Sequence, residues 1–336
     1  MKMWVSSLPF QLSRPFVSHK GITDARVEHV LVCIEYNQHK GYGVAVPARE
    51  FGTTLESLKE ECQSAIRILE QFNNPFELEH ILMCCRSLRP SALSAIDMAL
   101  HDLFGIIIGL PLYQYFGLEG LPIPPCATSL GLMSVDETLE KLKEYKDRPI
   151  LKIKMGQPDE KRIDLIRQHY QGRLWVDGNG AWTIEQALQV TKNFERYDIE
   201  LIEQPIPKGA RNDLRRIKEA TDILIIADED CVDVSDILKL EGCVDGVNIK
   251  LLKSGGLSGA KQMIVVAKAL GMKVMLGCKV ESALGVTAMS HLSALADFLD
   301  LDGHLDNVKD LFIGTKVDNG IIRIPSDPGL GCLYVE

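Results

Sequence analysis

The chain has 336 residues, 46% of them hydrophobic and 25% charged, with a formal net charge of -9. That is enough chain for a sizeable core and two domains, and the acidic balance argues against nucleic acid or an anionic membrane as a partner. Nine cysteines lie scattered without CxxC spacing, which reads as reduced, buried thiols in a cytoplasmic protein and excludes a disulfide framework.

The opening stretch MKMWVSSLPFQLSRPF has no long apolar core and no small-residue cleavage pattern, so no signal peptide is expected. VEHVLVCIEY (27–36) reads as a strand, and KGYGVAVP (40–47) as a turn followed by another. SLKEECQSAIRILEQF (57–72) has helical spacing. PSALSAIDMALHDLFGIIIG (90–109) predicts a long helix, with Ser91 near its start and Gly109 at its end. Its apolar residues Leu93, Ile96, Met98, Ala99 and Leu100 imply that most of its surface is buried. No apolar run is read as long enough to cross a membrane, since FGIIIGLPLY is short and broken by Gly and Pro. GLPLYQYFG (109–117) is a connection.

From about residue 122 short β-like runs alternate with helical ones. The runs are ATSLGL, LKIKMG, RLWVDGNG, IELIEQP, ILIIADED, VDGVNIKLL, KVMLGC and FLDLDG. Eight strands with helices between them predict a parallel β/α barrel. A doubly wound open sheet is the runner-up, but no Gly-rich phosphate turn follows a first strand. Residues 306–336 resemble a hairpin and a turn, and are expected to return to the N-terminal part. The expected domains are 1–115, an α+β cap; 116–305, a (β/α)7β modified TIM barrel; and 306–336, which completes the cap.

Lys154, Asp177, Glu203, Asp228 and Lys250 stand at successive strand ends, 23, 26, 25 and 22 residues apart. One β/α unit takes about that length, roughly 25–30 residues, so matching strand ends converge on the C-terminal mouth where barrel active sites lie. Barrel strands have no solvent face, so Lys152 and Lys154, which share a face, are not a wetted edge. Parity also puts Trp175 with Asp177, Leu201 with Glu203, and Asn248 with Lys250. Asn179 continues the Asp177 face. Lys253 has the opposite parity and reads as an ordinary loop lysine within reach of the site.

Asp177, Glu203 and Asp228 on adjacent strands suit a hard cation, Mg2+ with Mn2+ as the alternative; zinc is disfavoured because no His or Cys stands at these ends. Lys154 and Lys250 flank that site. A carboxylate substrate held by the metal would show its α-carbon to both. A lysine base must be neutral near pH 7, so its pKa is expected to fall, with Lys152, the cation and burial all acting in that direction. Proton removal leaves an enediolate whose charge the metal offsets. Return of a proton on the other face inverts the centre.

This set resembles the enolase superfamily, whose Lys base and Mg2+ are a known pattern. GYGVAVP resembles the Gly-x-Gly-Glu strand of the capping domain, with Val44 where that Glu often stands. LKIKMG, VDGNG, IEQP, IADED and VNIKLLKSGGL resemble, in order, the barrel motifs of the muconate-lactonizing subgroup. Asp300 and Asp302 in LDLDG resemble the Asp-x-Asp motif of dipeptide epimerases, which holds the substrate's α-ammonium group. The resemblance implies an isomerase, L-Ala-D/L-Glu epimerase or a close relative, that inverts the C-terminal residue of a dipeptide. It also implies Thr128, Lys152 and Lys279 as substrate contacts, Asn179, Asn248 and Glu229 as their supports, and FVSHKGITDAR (16–26) as a mobile capping loop. The family's glutamate-binding Arg has no match there; His19 and Lys20 are its substitutes. Lys279 stands where Met is usual, and either pairs with an acidic substrate side chain or with Glu281.

The alternatives are an N-acylamino acid racemase, an o-succinylbenzoate synthase or a cycloisomerase of the same subgroup, and a catalytically silent binding protein. Substrates of the sister enzymes lack a free ammonium and would not need Asp300 and Asp302. Expected partners are a dipeptide and further copies of the chain, with no nucleic acid and no membrane.

Overall fold

The computed structural model describes residues 1–335. Strands Lys2–Leu12, Arg26–Tyr36 and His39–Ala45 form an antiparallel sheet, and Asn307–Lys309, from the far end of the chain, pairs with the first of them. The strand Lys2–Leu12 is absent from the sequence reading above, for a physical reason. Its buried residues change phase, from Met3 to Leu8, Phe10 and Leu12. Met3 packs into the core of the cap, whereas Leu8 joins the core shared with the barrel. A strand buried on different faces along its length shows no period of two. Within the 16–26 segment, Phe16–Ser18 and Gly21–Thr23 form a small hairpin.

Helix Leu55–Leu69 starts in a capping box in which Thr54 and Ser57 satisfy each other's backbone N–H groups. Helix Pro90–Ile108 has Pro at its first turn and ends at Gly109 with φ 72°. By length and mean hydropathy, 1.5, it is long and apolar enough to cross a membrane, which corrects the sequence reading. Its apolar surface serves the core instead: 72% of the stretch is buried, against the cap sheet on one side and the barrel on the other. At Gly43 a Cβ would collide with the Ala95 carbonyl, so glycine there lets sheet and helix meet closely.

The barrel strands are Thr128–Leu130, Ile150–Lys154, Arg173–Asp177, Ile199–Glu203, Leu224–Ala227, Gly246–Ile249, Lys273–Gly277 and Phe298–Asp300. Each pairs parallel with the next. The first and eighth meet at a bridge between Cys126 and Leu299, which closes the sheet as an open doubly wound sheet would not. Ala127, Ile150, Trp175, Leu201, Ile226, Met275 and Phe298 form one inner apolar layer. Leu151, Ile153, Val176, Ile202, Ile225, Val247 and Ile249 join the outer core with the helices. The fold is a (β/α)7β barrel with an α+β cap that the C-terminal segment completes. The inner layer is the floor on which the polar strand ends stand.

Candidate active site

Ladder register puts the charged residues on common ground. Lys154 lies opposite Asp177, and Asp177 opposite Glu203. Ile226 lies opposite both Glu203 and Gly246. Asp228, two residues beyond Ile226, and Asn248 and Lys250, two and four beyond Gly246, therefore share the inner face. A cleft of about 200 Å³ opens above them; its walls include Lys154, Asn179, Asp228, Lys250, Asp300 and Asp302.

Inside it the ammonium groups sit on the carboxylates. Lys154 Nζ donates to Asp177 Oδ2 at 2.6 Å, and Lys250 Nζ to Asp228 Oδ2 at 2.7 Å. Lys152 is fully buried, with Nζ 2.5 Å from Asp300 Oδ2, 2.6 Å from Glu203 Oε2 and 3.4 Å from Asp177 Oδ2. Asn248 Nδ2 donates to Glu203 Oε1 at 2.9 Å. The Asn179 N–H donates to Asp177 Oδ1 at 2.9 Å.

Without the cation's charge, the carboxylates work against the expected fall at Lys250. Burial alone would lower the Lys250 ammonium, but the Asp228 and Glu203 carboxylates raise it further, and the balance is upward. The same contest raises Lys152 well above the usual lysine range, with Asp300, Glu203 and Asp177 outweighing burial. Lys152 is thus itself tied up as a cation among three carboxylates. Asp228 is held well below the usual range: burial pushes it up, and Lys250 and Lys253 pull it down further. Glu203 goes the other way, raised by burial and by the neighbouring Asp177 charge.

Lys253 departs from its sequence expectation. It is no ordinary loop lysine: its Nζ is buried and donates to Asp228 Oδ1 and Asp228 O, both at 2.6 Å, and to Asn248 O at 2.9 Å. Gln204 is also absent from the sequence reading. Its φ of 36° is unusual for a residue before proline. Its Oε1 accepts the Asp228 N–H at 3.0 Å, and its Nε2 donates to Asp230 Oδ2 at 2.7 Å. Together Lys253 and Gln204 fix the turn that carries Asp228.

The remaining predicted residues divide. Lys20 reaches from the hairpin to Glu229 at the barrel mouth, and burial is the main reason its pKa is lowered. Lys279 Nζ meets Glu50 at 2.5 Å and not the Glu281 carboxylate; the contact to Glu281 comes from the Lys279 N–H, at 2.9 Å. Burial pushes Glu281 up to about 7. Glu50 comes from the cap, and no local pattern announces it. His19 packs against Gly156 rather than on the cleft wall. Asp302 accepts the Ser129 N–H at 2.5 Å and is pushed up to about 6 by burial and the adjacent Asp300. Thr128 lines the cleft, but it stands opposite Leu151 and so faces outward; Ser129, opposite Lys152, faces in.

The donor set suits a hard cation. Asp177, Glu203 and Asp228 are oxygen donors and almost wholly buried. Glu203 Oε2 faces the Lys152 ammonium at 2.6 Å. As placed, the lysines rather than one another are their near neighbours, and among the described residues no three acidic, His or Cys side chains form a ready cluster. A cation taken up here would therefore compete with lysine for the same oxygens.

A family model described as "Enolase C-terminal domain-like" matches residues 136–334. The L-Ala-D/L-Glu epimerase of Bacteroides thetaiotaomicron is 35% identical, over 99% of this chain and 88% of the relative. The hydrophobic dipeptide epimerase of Roseobacter litoralis is 31% identical, over 90% and 91%. Among solved structures, the dipeptide epimerase from Cytophaga hutchinsonii complexed with Mg and D-Ala-L-Val superposes with a TM-score of 0.91 at 28% identity, covering 99% of this chain and 96% of that one. A substrate-liganded L-Ala-D/L-Glu epimerase from Bacillus subtilis gives 0.89 at 29% identity, with both chains covered in full.

Proposed function

The chain belongs to the enolase superfamily, among its dipeptide epimerases, and from that premise we propose that it is a Mg2+-dependent isomerase inverting the α-carbon of a dipeptide's C-terminal residue. The observation that carries the reading is the placement of Lys154 and Lys250 on either side of the Asp177, Glu203, Asp228 row, each within hydrogen-bonding distance of one carboxylate of that row. Two amines on opposite sides of one carbon are what a two-base inversion needs. In one direction Lys154 takes the α-proton and Lys250 returns one to the opposite face; in the other the roles exchange. Asp177, Glu203 and Asp228 would hold Mg2+, whose positive charge would offset the charge of the substrate carboxylate and the negative charge that builds on it as the proton leaves.

Lys152 stays charged and braces Asp177, Glu203 and Asp300 from below. Asp300 and Asp302 line the same cleft and are the proposed seat of the substrate's α-ammonium group. The quartet Lys20, Glu229, Glu50 and Lys279 on the rim is the proposed seat of the C-terminal side chain. Nine free thiols support a reducing, cytoplasmic setting.

The test is wash-in of solvent deuterium. With Mg2+ and a panel of dipeptides in D2O, the α-hydrogen of the C-terminal residue is replaced and its configuration scrambled, and chelation of the metal stops both. Failure of every dipeptide to exchange, with fold and Mg2+ binding intact, rules the reading out.

A further inference from the structure

The barrel wall closes between its eighth and first strands. No helix follows Phe298–Asp300; the chain leaves instead for Asn307–Lys309 in the cap sheet. The two strands are joined at the Cys126–Leu299 bridge, where the Ala127 N–H donates to Leu299 O at 2.8 Å. Two residues further along, the Ser129 N–H turns to the Asp302 carboxylate instead. A side chain thus finishes the wall, and the cleft runs on past it into a lobe lined by Leu12, Thr128, Tyr145, Arg148 and Leu305.

Two polar groups in this lobe have no partner. Thr128 is 4% exposed, faces outward by its register with Leu151, and its Oγ1 makes no hydrogen bond. Arg148 Nη1 is buried and unpartnered, and among the described residues the guanidinium makes no ion pair. Two further carboxylates border the lobe: Glu144 is engaged with Lys141 at 2.6 Å, and Asp306 makes no ion pair with Arg148. Buried donors without acceptors are costly, and a guanidinium is matched best by a planar carboxylate.

We propose that this lobe is the subsite for the side chain of the substrate's N-terminal residue, and that it selects a carboxylate-bearing one, Glu or Asp. The inference rests on the epimerase reading above. With the α-ammonium group at Asp300 and Asp302, the side chain leaves the same carbon, and the lobe begins beside Asp302. Its apolar walls cover the methylenes, and Thr128 and Arg148 meet the carboxylate.

The experiment compares L-Glu-L-Xaa with L-Ala-L-Xaa, sharing whichever C-terminal residue exchanges best, on the Mg2+-loaded enzyme. We expect kcat/KM to favour the Glu substrate by about tenfold or more, the worth of one charge-assisted pair. Arg148→Met should lower the Glu substrate at least about tenfold more than the Ala substrate, and Thr128→Val should do so to a smaller extent. Equal kcat/KM for the two substrates in the unmodified enzyme overturns the subsite, as does equal loss on both substrates in either variant. Exchange with Ala substrates alone leaves the epimerase standing and the subsite refuted; no exchange with any dipeptide removes both.

Discussion

Lys152 and Lys154 lie two residues apart on one strand and share its inner face. Lys250 and Lys253 lie three apart, one at a strand end and one in the single-turn helix Leu251–Ser254. Both arms put one amine in the cleft and bury a second beneath it, on the same carboxylates. The first arm is held by its own strand. The second depends on the turn after it, where Gly255 and Gly256 have φ of 78° and 108°. That turn is pinned from outside the barrel. Asp97, on the helix Pro90–Ile108, accepts from the Leu257 N–H at 2.5 Å and from Ser258 Oγ at 2.6 Å, capping the helix Leu257–Ala269. A Cβ on Gly256 would strike that carboxylate. The comparison teaches that one arm is local in sequence, while the other is borrowed from the cap.

Three substitutions probe the contrast, in falling order of effect. Lys152→Met strands three buried carboxylates, and urea unfolding should register a loss of about 3–5 kcal/mol. Lys253→Met leaves Asp228 still paired with Lys250, so the loss should be smaller, roughly 2–3 kcal/mol by the same measurement. A larger loss for Lys253 than for Lys152 would break the ranking of the arms. Asp97→Ala removes a helix cap at a cost of roughly 1–2 kcal/mol. Its sharper signature is kinetic: exchange that depends on Lys250 should slow while exchange that depends on Lys154 changes little. Equal slowing of both would mean that Asp97 serves stability alone.

The same contrast explains what was legible in the sequence. The barrel, and the convergence of Lys154, Asp177, Glu203, Asp228 and Lys250, follow from strand parity and a repeat of about one β/α unit, both of which are local. Lys253 escaped because the one-turn helix after the strand reverses parity and brings it back under Asp228. Gln204 escaped because a left-handed backbone at a non-glycine residue has no local marker. Ser129 escaped although its neighbour Thr128 was named, because one residue of register in a strand exchanges inside for outside. Glu50 and Asp97 act across domains, 229 and 160 residues from their partners Lys279 and Leu257. Nothing in a window of sequence records such pairs.

The central claim is that two lysines work on opposite faces of one α-carbon. It is tested most directly by following α-proton exchange in D2O for each stereoisomer of one substrate, with Lys154→Ala and Lys250→Ala side by side. The account predicts complementary defects: each variant loses exchange from one stereoisomer and keeps it from the other, and neither inverts the centre. Residual inversion in both variants, or loss of exchange from the same stereoisomer in both, would contradict it.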